Sequence, residues 1–171
     1  MAPPRQLRAL WPAFAAAVSA AMLAAAHAFQ TFGGYAPCNL CLRQREVYWA
    51  ALAVAVAGLG LVQVRRGLDR GALALVLAAI FFAGAVVAGF HAGVEWKWWP
   101  GPASCSGGGA ALASGDLSDL LHGARIRPPA CDEAAWRLLG ISMAGYNALI
   151  SAALATIGLV AALGPARSAG S

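Results

Sequence analysis

The sequence predicts an all-α integral membrane protein, a four-transmembrane-helix bundle with two long loops on one side. Three observations carry that prediction. Hydrophobic residues make up 60% of the 171 and charged residues only 11%, against roughly 45–50% and about 25% in soluble domains. The charges, 12 Lys+Arg and 7 Asp+Glu, are bunched rather than scattered. Four long gaps separate the bunches, each able to hold the ~20 apolar residues that a ~30 Å hydrocarbon core requires. This excludes a soluble Rossmann or barrel enzyme. The formal charge of +5 does not point to nucleic acid, because the basic residues flank the apolar runs and form no stripe.

The helices are expected at about residues 10–30, 46–64, 71–93 and 138–163, in a single membrane domain spanning residues 1–171. Arg5 and Arg8 precede the first helix, and Pro12 is placed in its first turn, where a missing N–H costs little. The apolar run here exceeds the 7–15 residues of a signal-peptide core, so the segment is read as a retained helix and not a cleaved leader. A short basic link from Arg65 to Arg70 joins the second and third helices. The long loops run over about residues 31–45 and 94–137. In the second loop, Leu117, Leu120 and Leu121 follow i, i+3, i+4 spacing beside Asp116 and Asp119, the pattern of a short amphipathic helix lying flat on the membrane surface.

Basic residues set the orientation. The short link and the two termini carry Arg5, Arg8, Arg65, Arg66, Arg70 and Arg167, while the long loops carry Arg43, Arg45, Lys97, Arg125, Arg127 and Arg137. The totals are equal, but the first set is far denser, which puts both termini in the cytoplasm. Trp96, Trp98 and Trp99, just past the third helix, fit an interfacial aromatic belt.

All four cysteines, Cys38, Cys41, Cys105 and Cys131, then fall in the two outer loops and none in a helix. An even count on an oxidising side fits disulfide pairing. Three connectivities are possible, and local spacing favours Cys38–Cys41 with Cys105–Cys131. Cys38-Asn39-Leu40-Cys41 is a C-x-x-C entering the second helix. A ring that small gains least from loop closure, so it makes a poor staple and a good redox switch. Arg43, Arg45 and the nearby helix N-terminus favour the thiolate that attacks disulfides. Cys105 and Cys131 could equally form an inert brace. No metal site is expected, because the second pair lacks the close spacing of a zinc site and no histidine stands close in sequence to either pair.

His27 and His91 fall at membrane depth, where polar groups are functional candidates or simply bond to a neighbouring helix. His91 lies near the outer end of its helix at the depth of Arg45. Gly89 and Gly93 make a G-x-x-x-G around it, the pattern of a close helix seam. Glu95 reads as an interfacial charge.

The run Pro37-Cys38-Asn39-Leu40-Cys41-Leu42-Arg43-Gln44-Arg45 resembles the disulfide bond formation protein B (DsbB) family, as does His91-Ala92-Gly93-Val94-Glu95-Trp96. So does Cys105 after Gly101-Pro102-Ala103-Ser104, with Cys131 beyond the amphipathic segment. The resemblance covers about residues 10–163. It implies a quinone reductase of the bacterial inner membrane that reoxidises a periplasmic dithiol oxidase of thioredoxin fold, drawing ubiquinone or menaquinone from the lipid pool. It further implies that Cys105 takes the incoming partner thiolate and that Cys131 attacks the Cys38–Cys41 bridge, most readily at Cys38. Cys41 then faces the quinone. Arg45 matches the quinone-site arginine, and His91 is a further quinone-pocket residue. Arg43 adds a second positive charge that could compete for this role.

Two alternatives remain open at this stage. A vitamin-K-epoxide-reductase-like oxidoreductase also uses a four-helix bundle with C-x-x-C, but there the active pair comes late in the chain. A non-enzymatic membrane scaffold would use both pairs only to brace its outer loops.

Overall fold

The structure is a computed structural model that describes residues 4–64, 69–102, 105 and 130–164. Among the described residues, four helices are long and apolar enough to cross a membrane. They are α1 (Pro4–Thr31), α2 (Asn39–Val64), α3 (Arg70–Glu95) and α4 (Met143–Leu163). Between α3 and α4 lies a two-stranded antiparallel ribbon, β1 (Arg137–Leu138) with β2 (Ile141–Ser142). The most extensive packing is between α3 and α4; α2 packs on both α1 and α3.

The starts of α3 and α4 have a local cause. Asp69 caps α3, its Oδ1 accepting from the Gly71 N–H at 2.9 Å. Ser142 caps α4 in the same way, its Oγ accepting from Gly145 at 3.1 Å. Both satisfy amides that the first turn leaves without partners. The ribbon turns through Leu139 (φ 50°) and Gly140 (φ 80°). Two consecutive residues with positive φ make the tight turn that suits the twist of a hairpin.

Three expected positions are corrected. α2 begins at Asn39 and not near residue 46, so Cys41 lies in a helix, inside its first turn. Arg43, Arg45 and Glu46 made this stretch look like loop, yet charges are well tolerated in a helix's outermost turns, where long side chains reach the interface. α4 begins at Met143 and not near residue 138, because apolar Leu138, Leu139 and Ile141 belong to the ribbon. Pro12 lies well inside α1. It is fully buried, and its missing N–H leaves the Arg8 carbonyl without the usual helical donor. The amphipathic segment around Leu117–Leu121 lies outside the described residues.

The core on the Arg8 side is apolar and tightly fitted. Trp11 and Phe81 are fully buried, with ring centroids 6.3 Å apart and planes at 72°. Trp11 reaches α4 because Gly158 leaves it room. A Cβ at Gly158 would lie 3.0 Å from the Trp11 ring and 3.1 Å from the Ala78 Cβ. Large apolar side chains such as Phe14, Val56, Phe82, Leu149 and Val160 point outward, as lipid contact allows.

The G-x-x-x-G around His91 is not a helix seam. A Cβ at Gly89 would meet nothing within 4 Å, whereas at Gly93 it would overlap the Trp99 indole. Gly93 therefore makes a seat for Trp99, which stacks on Phe90 and donates its Nε1–H to the Phe90 carbonyl at 3.0 Å. Trp96 and Trp98 remain partly exposed beside it.

Candidate active site

Cys38 immediately precedes α2 and takes the place of an N-cap. Its Sγ accepts from the Cys41 N–H at 3.3 Å, and its carbonyl accepts from the Leu42 N–H at 3.1 Å. The C-x-x-C spacing thus folds one turn of helix back on itself. It leaves the two sulfurs 2.9 Å apart as free thiols, with Cys38 donating to Cys41. That hydrogen bond, then burial, then the charge on Cys41 push the Cys38 thiol above its ordinary range. Cys38 therefore holds the proton of the pair.

Cys105 and Cys131 are joined in a disulfide, with Cα atoms 5.4 Å apart. Two cysteines tied in this way cannot serve as metal ligands. Cys131 is fully buried and packs in one cluster with Cys38, Leu40 and Val94, against which Cys41 and Cys105 also lie. Residues nearly a hundred positions apart in sequence thus share one pocket of sulfur. The segment carrying Cys131 is tethered to the end of α3 by a Lys97–Asp132 ion pair, and Lys97 holds the Asp132 carboxyl below its usual range.

Beside the sulfurs is a cavity of about 410 Å³, within the size range of small-molecule sites. Met22, Leu23, Phe29, Trp136 and Ile150 supply apolar wall, and Cys41, Arg45 and His91 supply polar points. Arg45 donates to the Gln30 side chain at 2.6 Å and to the Ala26 carbonyl at 3.0 Å. Those two bonds pin the guanidinium against α1 and use two of its five N–H donors. Arg43 does not line this cavity. It pairs with Glu46 at 3.0 Å on the exposed side of α2.

His91 is buried, with Nε2 3.6 Å from the Cys38 sulfur and 3.8 Å from a Glu95 oxygen. Its Nδ1 meets the Gln44 amide at 2.7 Å. Glu95 is also buried and accepts from the Ser142 hydroxyl, so it is not the interfacial charge its position suggested. His27 stays within its own helix, with Nδ1 2.7 Å from the Leu23 carbonyl. Among the described residues, Cys38, Cys41 and His91 form the one set of three donors close enough together to hold an ion, all within 4.8 Å.

Sequence reasoning missed Gln44, Tyr48, Asn147 and Ser151, which form a buried polar network between α2 and α4. A signal was present. Gln44 with Tyr48, and Asn147 with Ser151, are each four residues apart and so share a helix face in otherwise apolar segments.

The C-x-x-C at a helix start, the second pair packed on it and the adjoining cavity coincide with a family-level match. The profile described as "Disulfide bond formation protein DsbB" matches residues 8–161. The chain belongs to the DsbB family. No curated protein and no solved structure matches it. DsbB membership and four membrane-crossing helices make the chain a multi-pass membrane protein with the thiol-oxidase chemistry of disulfide formation. The cavity's apolar wall and its Cys41, Arg45 and His91 fit a quinone ring with polar carbonyls.

Proposed function

We propose that this chain is a quinone reductase of the inner membrane, reoxidising a periplasmic dithiol oxidase of thioredoxin fold. Both termini face the cytoplasm and the cysteine end faces the periplasm. One observation carries the reading: all four cysteines pack together at the edge of a cavity lined by Cys41 and Arg45.

A partner thiolate attacks Cys105 and breaks the Cys105–Cys131 bond, and Cys131 departs as a thiolate. Cys131 lies against Cys38, so its next displacement, at the Cys38 sulfur of an oxidised Cys38–Cys41 bridge, needs little motion. Cys41 is then released as a thiolate at the cavity wall. The partner's second thiol displaces Cys105 and leaves as a disulfide, and Cys105 in turn displaces Cys38 from Cys131, which restores the Cys105–Cys131 bond and leaves Cys38 and Cys41 both reduced. Arg45, one helical turn on, holds that charge and donates to an acceptor in the cavity. A bound ubiquinone or menaquinone would supply the sink, taking two electrons and two protons and leaving as hydroquinone. Overall, one partner dithiol becomes a disulfide and one quinone becomes a hydroquinone.

The test uses purified full-length protein, reduced partner and a soluble ubiquinone, with quinone absorbance followed over time. Loss of absorbance is expected to match partner oxidation one for one. Cys131→Ala should accumulate a Cys105–partner mixed disulfide, because no resolving thiol remains. Partner oxidation without quinone consumption, or an equal trap with Cys105→Ala, overturns the reading.

A further inference from the structure

The buried network between α2 and α4 has a direction. Asn147 Oδ1 receives the Tyr48 hydroxyl at 2.5 Å and the Ser151 hydroxyl at 3.4 Å. The Asn147 Nδ2 therefore faces α2 and donates to Gln44 Oε1. With its oxygen so occupied, Gln44 presents Nε2 to His91 Nδ1 at 2.7 Å. An amide nitrogen only donates, so Nδ1 must be the bare nitrogen of a neutral ring. The ring's one proton is left on Nε2, the atom 3.6 Å from the Cys38 sulfur.

We propose that Tyr48, Asn147 and Gln44 form a one-way donor chain that fixes His91 as the Nε2–H tautomer, aimed at the Cys38 sulfur. The proposal deepens the thiol-oxidase reading, resting on it for its chemical consequence but not for its geometry. The imidazolium is disfavoured by the same chain, since a proton on Nδ1 would face the Gln44 NH2. His91 is then a fixed donor that supports negative charge on Cys38, beside the Cys41 N–H that already points there. Gln44, Asn147 and Tyr48 also line the cavity, but toward the Cys38 sulfur they act through His91, as positioning residues. Buried polar side chains at membrane depth are costly, and this chain gives four of them a joint task.

Cys38 needs such a donor. It sits in a buried cluster and shares its proton with Cys41, so against that burial only the backbone amides at the start of α2 favour a thiolate. A hydrogen bond to a charged group contributes about 1.5–3 kcal/mol, or roughly tenfold or more in the thiolate population.

The test needs neither quinone nor partner. Full-length protein with 15N-labelled histidine, reduced and held in lipid nanodiscs, is examined by NMR, where ring 15N shifts distinguish the two tautomers. His91→Gln assigns the resonance among the three histidines of the chain. The parent should show His91 with Nε2 protonated and Nδ1 bare. Asn147→Leu frees the Gln44 amide to turn over and should give a mixture of tautomers. Gln44→Met breaks the same chain from α2 and replaces Asn147→Leu should that variant not fold. In a second measurement, the other three cysteines are Ser and iodoacetamide alkylation of Cys38 is timed at pH 7. Asn147→Leu and His91→Gln should each slow it about tenfold, and the double variant should be no slower than either. An Nδ1–H tautomer in the parent, a tautomer unmoved by both chain-breaking variants, or additive slowing overturns the proposal. Failed quinone reduction with the Nε2–H tautomer intact overturns the quinone reading and leaves the chain standing.

Discussion

The two ends of the bundle solve opposite problems with the same four helices. At the Arg8 end, the helices close on Trp11, Leu77, Phe81 and Ala161, all fully or almost fully buried, and one ion pair with its carbonyl contact ties the termini together. At the cysteine end, the interior holds Cys38, Gln44, His91, Glu95, Ser142, Asn147 and Ser151, all buried, around a cavity of about 410 Å³. Apolar packing tolerates no gap but asks for no partner. Buried polar groups each need a partner, and once paired they fix the orientation of their neighbours. The closed end therefore holds the bundle together, and the cysteine end uses the resulting rigidity to hold reactive groups in place.

The sharpest way to break that division is at Trp11. Trp11→Ala removes a ring wedged between Phe81 and Gly158, and such truncations cost about 3–5 kcal/mol. Unfolding in lipid or mild detergent should show that loss, while quinone reduction per folded molecule stays within about twofold. A catalytic defect of the same size as the stability defect would mean that the two ends are not separable.

Arg45 tests the other end, with a smaller expected effect. A charge-assisted hydrogen bond of about 1.5–3 kcal/mol corresponds to roughly 10- to 150-fold in quinone affinity or turnover for Arg45→Ala. Arg45→Lys should recover only part, because an ammonium lacks the planar fork. Since Arg45 also ties α1 through Gln30 and Ala26, Gln30→Leu serves as the control. It loosens the tie without removing the guanidinium and should change the quinone KM little. Equal defects in Gln30→Leu and Arg45→Ala would make Arg45 a strut and not a ligand.

These two ends were not equally legible in the sequence. Membrane spans are a property of composition over ~20 residues, so the four helices stood out, as did the family's C-x-x-C with its arginine. The start of α2 was misplaced because the charges of Arg43, Arg45 and Glu46 read as loop, although hydrogen bonds to Cys38 had already closed the first turn. The apolar ribbon at 137–142 read as helix because hydrophobicity alone does not separate a short strand from a helical turn. The donor chain was invisible for a different reason. Gln44 meets His91 across 47 positions and Asn147 across 103. Such pairing depends on which helix faces which, and a single sequence does not state that.

The smallest expected effect belongs to the clamp at the closed end. Asp69 caps α3 and also pairs with Arg8, which in turn donates to the Gly164 carbonyl at 3.0 Å. The Gly71 N–H and, after it, Arg8 hold the Asp69 carboxyl below its usual range. A carboxyl depressed in the folded state adds stability that is complete above the ordinary carboxylate range and fades as pH falls through the folded value. Asp69 is largely exposed, so screening keeps the ion pair to about 0.5 kcal/mol or less. Asp69→Asn keeps a good cap and loses only the charge, and should lower the melting temperature by about 1–2 °C at neutral pH. Asp69→Ala loses the cap as well and should cost about 1 kcal/mol. The gap between parent and Asp69→Asn should narrow below about pH 4, where the carboxyl of the unfolded parent begins to take up its proton, and close as pH falls through the lower folded value. A gap that widens on acidification would show that the charge opposes the fold. A loss for Asp69→Asn as large as that for Trp11→Ala would mean that the closed end depends on the clamp more than on its packing.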